Sequence, residues 1–202
     1  MPRPKTDTRE KLLAATLDYV ATHGVGELSL RQLAAGIGTT HRVLLFHFGT
    51  KESLLAEVVS AVERQQQQFV EDLSAASSQS AAEQIRVVWR RVSDPALAPY
   101  VRLFFELAGH ALQGREHTGG LRESLVGLWL EPLPAMLRRG GVPKQTAQQD
   151  ARIVLATVRG LLLDLLATGD RDAVDRSMER FLQCWEIAWT TRAPRKASAR
   201  RS

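Results

Sequence analysis

SLRQLAAGIGTTHRVLLFHFGTKESLL, residues Ser29 to Leu55, is the stretch whose reading decides the fold. Ser29 followed three residues later by Gln32 is a capping-box start, each side chain able to reach an orphan N–H at the helix end. Leu30, Leu33, Ala34 and Ile37 then recur at helical spacing and give one apolar stripe. Gly36 and Gly38 allow a sharp turn, because glycine reaches left-handed backbone angles without a Cβ clash. Thr39 or Thr40 caps a second short helix whose first turn carries Thr40, His41 and Arg42. Two short helices joined by a glycine turn, the second opening on polar and basic side chains, are the pattern of a DNA-reading helix-turn-helix.

The pattern continues on both sides. Phe46-His47-Phe48 closes the second short helix, Gly49 follows, and Thr50-Lys51-Glu52 with Leu54 opens a long one. Upstream, Thr8-Arg-Glu-Lys-Leu-Leu opens a first helix and His23-Gly24 closes it. On these residues, over roughly 8 to 62, the chain resembles the DNA-binding domain of the tetracycline-repressor (TetR) family of bacterial transcription regulators. Beyond them the resemblance is architectural. One position departs: many relatives carry Tyr where this chain has Leu45, and a leucine cannot donate to a phosphate.

Length and composition agree with a regulator of this kind. The 202 residues suffice for a substantial core in one or two domains. No apolar run approaches the roughly 20 residues that span a bilayer, and Gly160–Thr168 is interrupted by Asp164. The N-terminus lacks the apolar segment of a signal peptide. The single cysteine, Cys184, cannot close an internal disulfide and sits in an apolar helical stretch, where it reads as a buried thiol. A cytoplasmic protein without a membrane partner is expected.

The net charge of +5 is unevenly spread. Residues 1–51 hold seven Lys and Arg against four acids, residues 52–191 hold fifteen against eighteen, and residues 192–202 hold five and no acid. A positive head on a mildly acidic body suits binding to a polyanion. Residues 193–202 lack apolar anchors and read as a disordered basic tail, either attracted to phosphates or merely solubilising.

The rest reads as helix, for an all-α chain of about nine helices. Expected spans are 81–93, 96–112, 119–139 with a kink or break at Pro132 and Pro134, 144–168 and 171–191. In the third of these, Leu121, Leu125, Leu128 and Trp129 are expected on one face, after a loop at GREHTGG. The last two helices are apolar on more than one side. Such helices must bury more than one side, either in a two-fold dimer through 144–168 and 171–191, with Gly160 allowing close approach, or in one larger monomeric core.

Three domains follow: a helix-turn-helix at 1–50, a helical regulatory and dimerisation body at 51–192, and the tail at 193–202. His41 and Arg42 are placed to reach base edges, with Thr39 and Thr40 beside them. Phe46 either touches a thymine methyl or packs on the first helix. Ser29, Arg31, His47 and Lys51 are candidates for phosphate contacts, although His47 also reads as a cap. The resemblance implies a repressor that binds a palindromic double-stranded operator as a homodimer and is released by a small, largely apolar effector, although the residues themselves do not distinguish repressor from activator. Trp89, Tyr100, Phe104, Phe105, His110, Trp129 and Met136 are candidate effector contacts, though each also reads as ordinary core.

No cofactor, metal site or catalytic residue is expected. Glu106 and His110 lie one helical turn apart, with Glu116-His117 soon after, but no metal-binding or nucleophile motif accompanies them. A helical metal-dependent enzyme and a nonspecific DNA-binding protein are the competing readings.

Overall fold

The computed structural model describes residues 5–24, 28–114 and 125–190; the side chains of 5–7 and 188–190 lie outside that description. Among the described residues there are nine α-helices and no strand. They are α1 (Lys5–His23), α2 (Leu30–Gly36), α3 (His41–Phe48), α4 (Lys51–Ala76), α5 (Ala81–Val92), α6 (Ala98–Leu112), α7 (Pro132–Arg139), α8 (Ala147–Thr168) and α9 (Arg171–Thr190). The architecture is an N-terminal helix-turn-helix followed by a helical domain. By backbone packing the chain forms two compact units, Met1–Phe69 with Arg91–Trp129, and Val70–Arg90 with Leu130–Ser202.

The first unit has two apolar clusters. Leu30, Leu33, Ala34, Leu44, Phe48 and Leu54 are buried together, with Leu12, Leu13, Tyr19, Leu28 and Ile37 packed against them. Val20, Leu55, Ala56, Val58, Val59, Leu103, Leu107 and Ala111 form the other, flanked by Leu13, Leu17, Tyr100, Phe104 and Leu125. Leu13 borders both, so α1 is packed on α2 and α3 and on α6 at once. The Tyr100 hydroxyl donates to the Leu17 backbone oxygen at 2.6 Å, pinning α6 to α1. Burial, and then the charge of Asp18, push this phenol up from its ordinary pKa, so it keeps the proton it donates.

The second unit is tied by aromatic and charged side chains. On α5, Arg86 and Trp89 lie one turn apart; so do Asp175 and Glu179 on α9. Arg86 grips Glu179 through two parallel bonds of 2.7 and 2.8 Å, and the Trp89 indole donates to Asp175 at 2.7 Å. The Trp185 indole likewise donates to Asp150 at 3.0 Å, tying α9 to α8. Ser80 and Glu83 make the capping box that starts α5. The amide of Ala81 donates to the Gly140 oxygen at 3.0 Å, an approach so close that a Cβ on Gly140 would fall 2.4 Å from Ala81 N.

Several local expectations are corrected. Of the kink or break expected in 119–139, the described residues show a break. Residues 125–127 are helical, a turn follows at 128–131, and α7 starts at Pro132, where a proline's missing N–H is harmless. Leu128 is exposed while Trp129 is buried, so they do not share a face. Leu121, residues 115–120 of GREHTGG, Gly26 and the tail lie outside the described residues. Cys184 is exposed on α9 rather than buried.

On α8 the buried residues Ala151, Val154, Leu155 and Leu162 leave an opposite stripe in solvent. That stripe is Ile153, Ala156, Gly160, Leu163 and Ala167, alternating by three and four residues as a coiled-coil seam does. Ile153 and Leu163 are about half exposed (49% and 52%), and Ile187 on α9 is 62% exposed.

Candidate nucleic-acid interface

Each helix of the reading head is terminated by its own sequence. Ser29 Oγ accepts from Gln32 N at 3.2 Å and the Gln32 side chain accepts from Ser29 N at 2.9 Å, which fixes the start of α2. At its end Gly38 stands at φ +71, with Gly38 N bonded to Ala35 O and Thr39 N to Ala34 O. That pair of bonds is a Schellman stop, which requires a residue in the left-handed region. Gly36 has a different task from the one read in the sequence. It is helical, and the Tyr19 ring occupies the space where its Cβ would be, 2.1 Å from the nearest ring carbon. Its smallness brings α1 onto α2.

Thr40 caps α3, its hydroxyl accepting from Val43 N at 3.3 Å; Thr39 does not. Gly49 ends α3 at φ +77 and ψ −68, and Thr50 N donates to Phe48 O at 2.9 Å. This is a γ-turn of the hand that side chains rarely adopt. Thr50 then caps α4 by accepting from Ser53 N at 3.0 Å.

The two faces of α3 are sharply divided. Leu44 and Phe48 point into the core, whereas Arg42, Leu45 and Phe46 are exposed, Phe46 by 70% and Leu45 by 38%. Phe46 therefore does not pack into the head; its ring meets the His47 ring edge-on at 5.1 Å. Of the other residues singled out, Ser29, Arg31 and Thr40 are exposed, and Thr39, His41, His47 and Lys51 are half-buried. Ser29 and Thr40 spend hydroxyl bonds on caps. All nine belong to the first compact unit.

Sequence reasoning missed two residues. Leu45, noted only as a lost hydrogen-bond donor, shares the exposed face with Arg42 and Phe46. Arg9 reaches from α1 to the His47 backbone oxygen and to Glu57. No local pattern announces a partner 38 or 48 residues away.

The effector candidates are dispersed. Tyr100, Phe104, Phe105, His110 and Trp129 belong to the first unit, Trp89 and Met136 to the second. Met136 is fully buried. The indole N–H of Trp89 is bonded to Asp175 and that of Trp129 to Glu63 at 2.6 Å, while the Tyr100 hydroxyl is held by α1. Glu106 is exposed and His110 half-buried on α6. Among the described residues no three His, Cys, Asp or Glu side chains gather as a metal site would need, and no helix is long and apolar enough to cross a membrane.

Residues 12–58 match the family model described as bacterial regulatory proteins, tetR family. No curated protein matches the chain. Solved structures resemble it along most of its length. A TetR transcriptional regulator from Legionella pneumophila is 20% identical, with a TM-score of 0.64 over 90% of this chain and 99% of that one. A TetR-family regulator from Pectobacterium atrosepticum is 21% identical, with a TM-score of 0.66 over 92% and 95%. A transcriptional regulator from Saccharomonospora viridis, solved in complex with choline, is 19% identical, with a TM-score of 0.65 over 89% and 97%. At such identities the likeness is one of fold. The chain is thus similar to the tetR family of bacterial regulatory proteins in sequence over residues 12–58 and to solved transcriptional regulators in fold over most of its length.

Proposed function

We propose that the protein is a cytoplasmic repressor that binds a palindromic operator as a homodimer and is released by a small, largely apolar molecule. The observation that carries the DNA-binding half is the exposed stripe of α3, with Arg42 set against a Leu44 and Phe48 anchor. Arg42 reads guanine through its O6 and N7, which discriminates by roughly 1–3 kcal/mol. Thr40 and His41 reach neighbouring edges, and Phe46 meets a thymine methyl. Ser29, Arg31, Thr39, His47 and Lys51 hold the phosphates and fix register. Residues 1–50 are the reading module, 51–192 the regulatory and dimerisation body, and 193–202 a tail that adds attraction to phosphate.

The dimer reading is supported by the α8 stripe and Ile187, apolar positions that a single chain leaves in water. A symmetric pair would present two α3 helices about 34–36 Å apart, one DNA turn. The choline bound to the Saccharomonospora relative supports a small-molecule effector in a body of this fold. The effector must bind the DNA-competent and released arrangements with different affinity, since mere occupancy shifts nothing. Tyr100, Phe104, Phe105, His110 and Trp129 of the first unit are the proposed contacts, and α4 is the proposed lever.

Selection of bound sequences from random duplex DNA, repeated with candidate effectors, tests the reading. A two-fold symmetric site should emerge. Binding without sequence preference, falling steeply with salt, would make the protein a nonspecific DNA binder instead.

A further inference from the structure

One guanidinium joins three helices. Arg9 on α1 donates from Nε to the backbone oxygen of His47 at 3.4 Å, lies 5.0 Å from the centre of the Phe48 ring, and pairs through Nη2 with the Glu57 carboxylate on α4. The His47 oxygen is among the last four carbonyls of α3, which an α-helix leaves without an internal donor. The negative end of the α3 dipole is there too, which favours a cation. The neighbouring oxygens of Leu45 and Phe48 are served locally, by Gly49 N and Thr50 N. His47 is served from the other end of the reading head. With only eight residues, α3 is too short to hold itself in water and takes its orientation from its surroundings.

The turn that joins α3 to α4 makes this contact consequential. Gly49 has no side chain to limit its rotation, so it is the natural pivot between the two helices. Arg9 holds His47 and Phe48 before the pivot and Glu57 after it. Resting on the DNA-binding reading above, we infer that Arg9 is a positioning residue: it sets the angle of α3 against α1 and α4 and makes no contact with DNA. The rival role for a half-buried arginine at the surface, a direct phosphate contact, has opposite consequences for charge.

The test uses the full chain and two probes, the duplex recovered by selection with the unsubstituted protein and a scrambled duplex. Arg9→Met should weaken binding to the selected duplex roughly three- to tenfold. Its salt slope and its affinity for the scrambled duplex should not change. Arg9→Lys should restore part of the loss. Glu57→Ala should also weaken specific binding, although it removes a negative charge. A salt slope reduced by about 0.9 for each phosphate lost, with Glu57→Ala tightening both duplexes, would overturn the inference. Where Arg9→Met is partly unfolded, Glu57→Ala decides, because the bond from Arg9 to His47 survives in it.

Amide exchange gives a readout free of DNA. Residues 41–48 should exchange faster in Arg9→Met, and unchanged protection there would also overturn the inference. Arg42→Ala separates the two levels: if it leaves the selected site unaltered, the DNA-binding reading itself fails, whatever Arg9 does.

Discussion

Helices α3 and α8 both leave apolar side chains in solvent, but they surround them with different company. On α3 the exposed Leu45 and Phe46 stand beside Arg42, and the helix starts at the exposed Thr40 cap. On α8 the exposed positions 153, 156, 160, 163 and 167 are branched or small and carry no hydrogen-bonding side chain, and the exposed Arg152 and Asp164 stand at the edges of the stripe rather than within it. The first kind of face suits a surface whose donors and acceptors must be matched one by one. The second suits a copy of itself, which packs knobs into holes and asks for no polar match. On the proposed function, exposed carbon has two meanings in this molecule, and what the stripe itself carries distinguishes them.

The largest effect that can break this comparison is expected on α8. Leu163→Glu introduces its charge twice in a two-fold interface, and a buried unpaired carboxylate costs several kcal/mol. Sedimentation should show monomers, and affinity for the selected operator should fall at least about a hundredfold. A dimer that survives would remove the assigned meaning of the stripe.

Arg42→Ala should come next, losing about 1–3 kcal/mol of discrimination at one base pair of each half-site. The melting temperature should not move, because the side chain is exposed. Competition between selected and singly altered duplexes measures it.

Two glycines sharpen the contrast further. Gly140→Ala would drive a Cβ into the backbone of Ala81, where neither side can yield cheaply, and should destabilise by about 1–3 kcal/mol. Gly160→Ala meets nothing within 4 Å in the chain and replaces a poor helix former, so it should stabilise the fold by up to about 1 kcal/mol. If Gly160 lies in the seam, the same change should weaken association. Thermal melts at two protein concentrations separate these effects.

The smallest effect belongs to the ion pair of the second unit. Hydrogen bonds from Arg86 hold the Glu179 carboxyl below its ordinary pKa. A carboxyl depressed in the folded chain contributes stability above its unfolded pKa, and that contribution is lost as pH falls through the folded value. Both side chains are a third or more exposed, so the amount is under about 1 kcal/mol. Glu179→Gln should flatten the acid limb of stability against pH by about that much.

The reading head was legible because its signals are short-range. Ser29 with Gln32, Gly38, Thr40 and Thr50 each act within a few residues, and the alternation of Leu44 and Phe48 with Arg42 and Phe46 follows from helical period alone. What escaped notice depends on residues far apart in the chain. Gly36 looks like a turn glycine until Tyr19 is found against it. Arg9 looks like a surface cation until His47, Phe48 and Glu57 converge on it. Trp89 and Trp129 read as possible effector walls, and only folding shows their indoles engaged by carboxylates. The break at residues 128–131 was anticipated at Pro132, yet a proline in a helical pattern is compatible with a kink or a start, and neighbours decide which. The exposure of Cys184 has a similar cause: a helix apolar on several sides does not say which side a single chain covers.

The division of α3 has a consequence for how such a protein changes targets. Positions 44 and 48 secure the rod, and positions 42, 45 and 46 confront the outside; none of these five serves both tasks. Rewriting the outward letters leaves the anchor untouched, so a new address can be acquired without first weakening the scaffold that carries it.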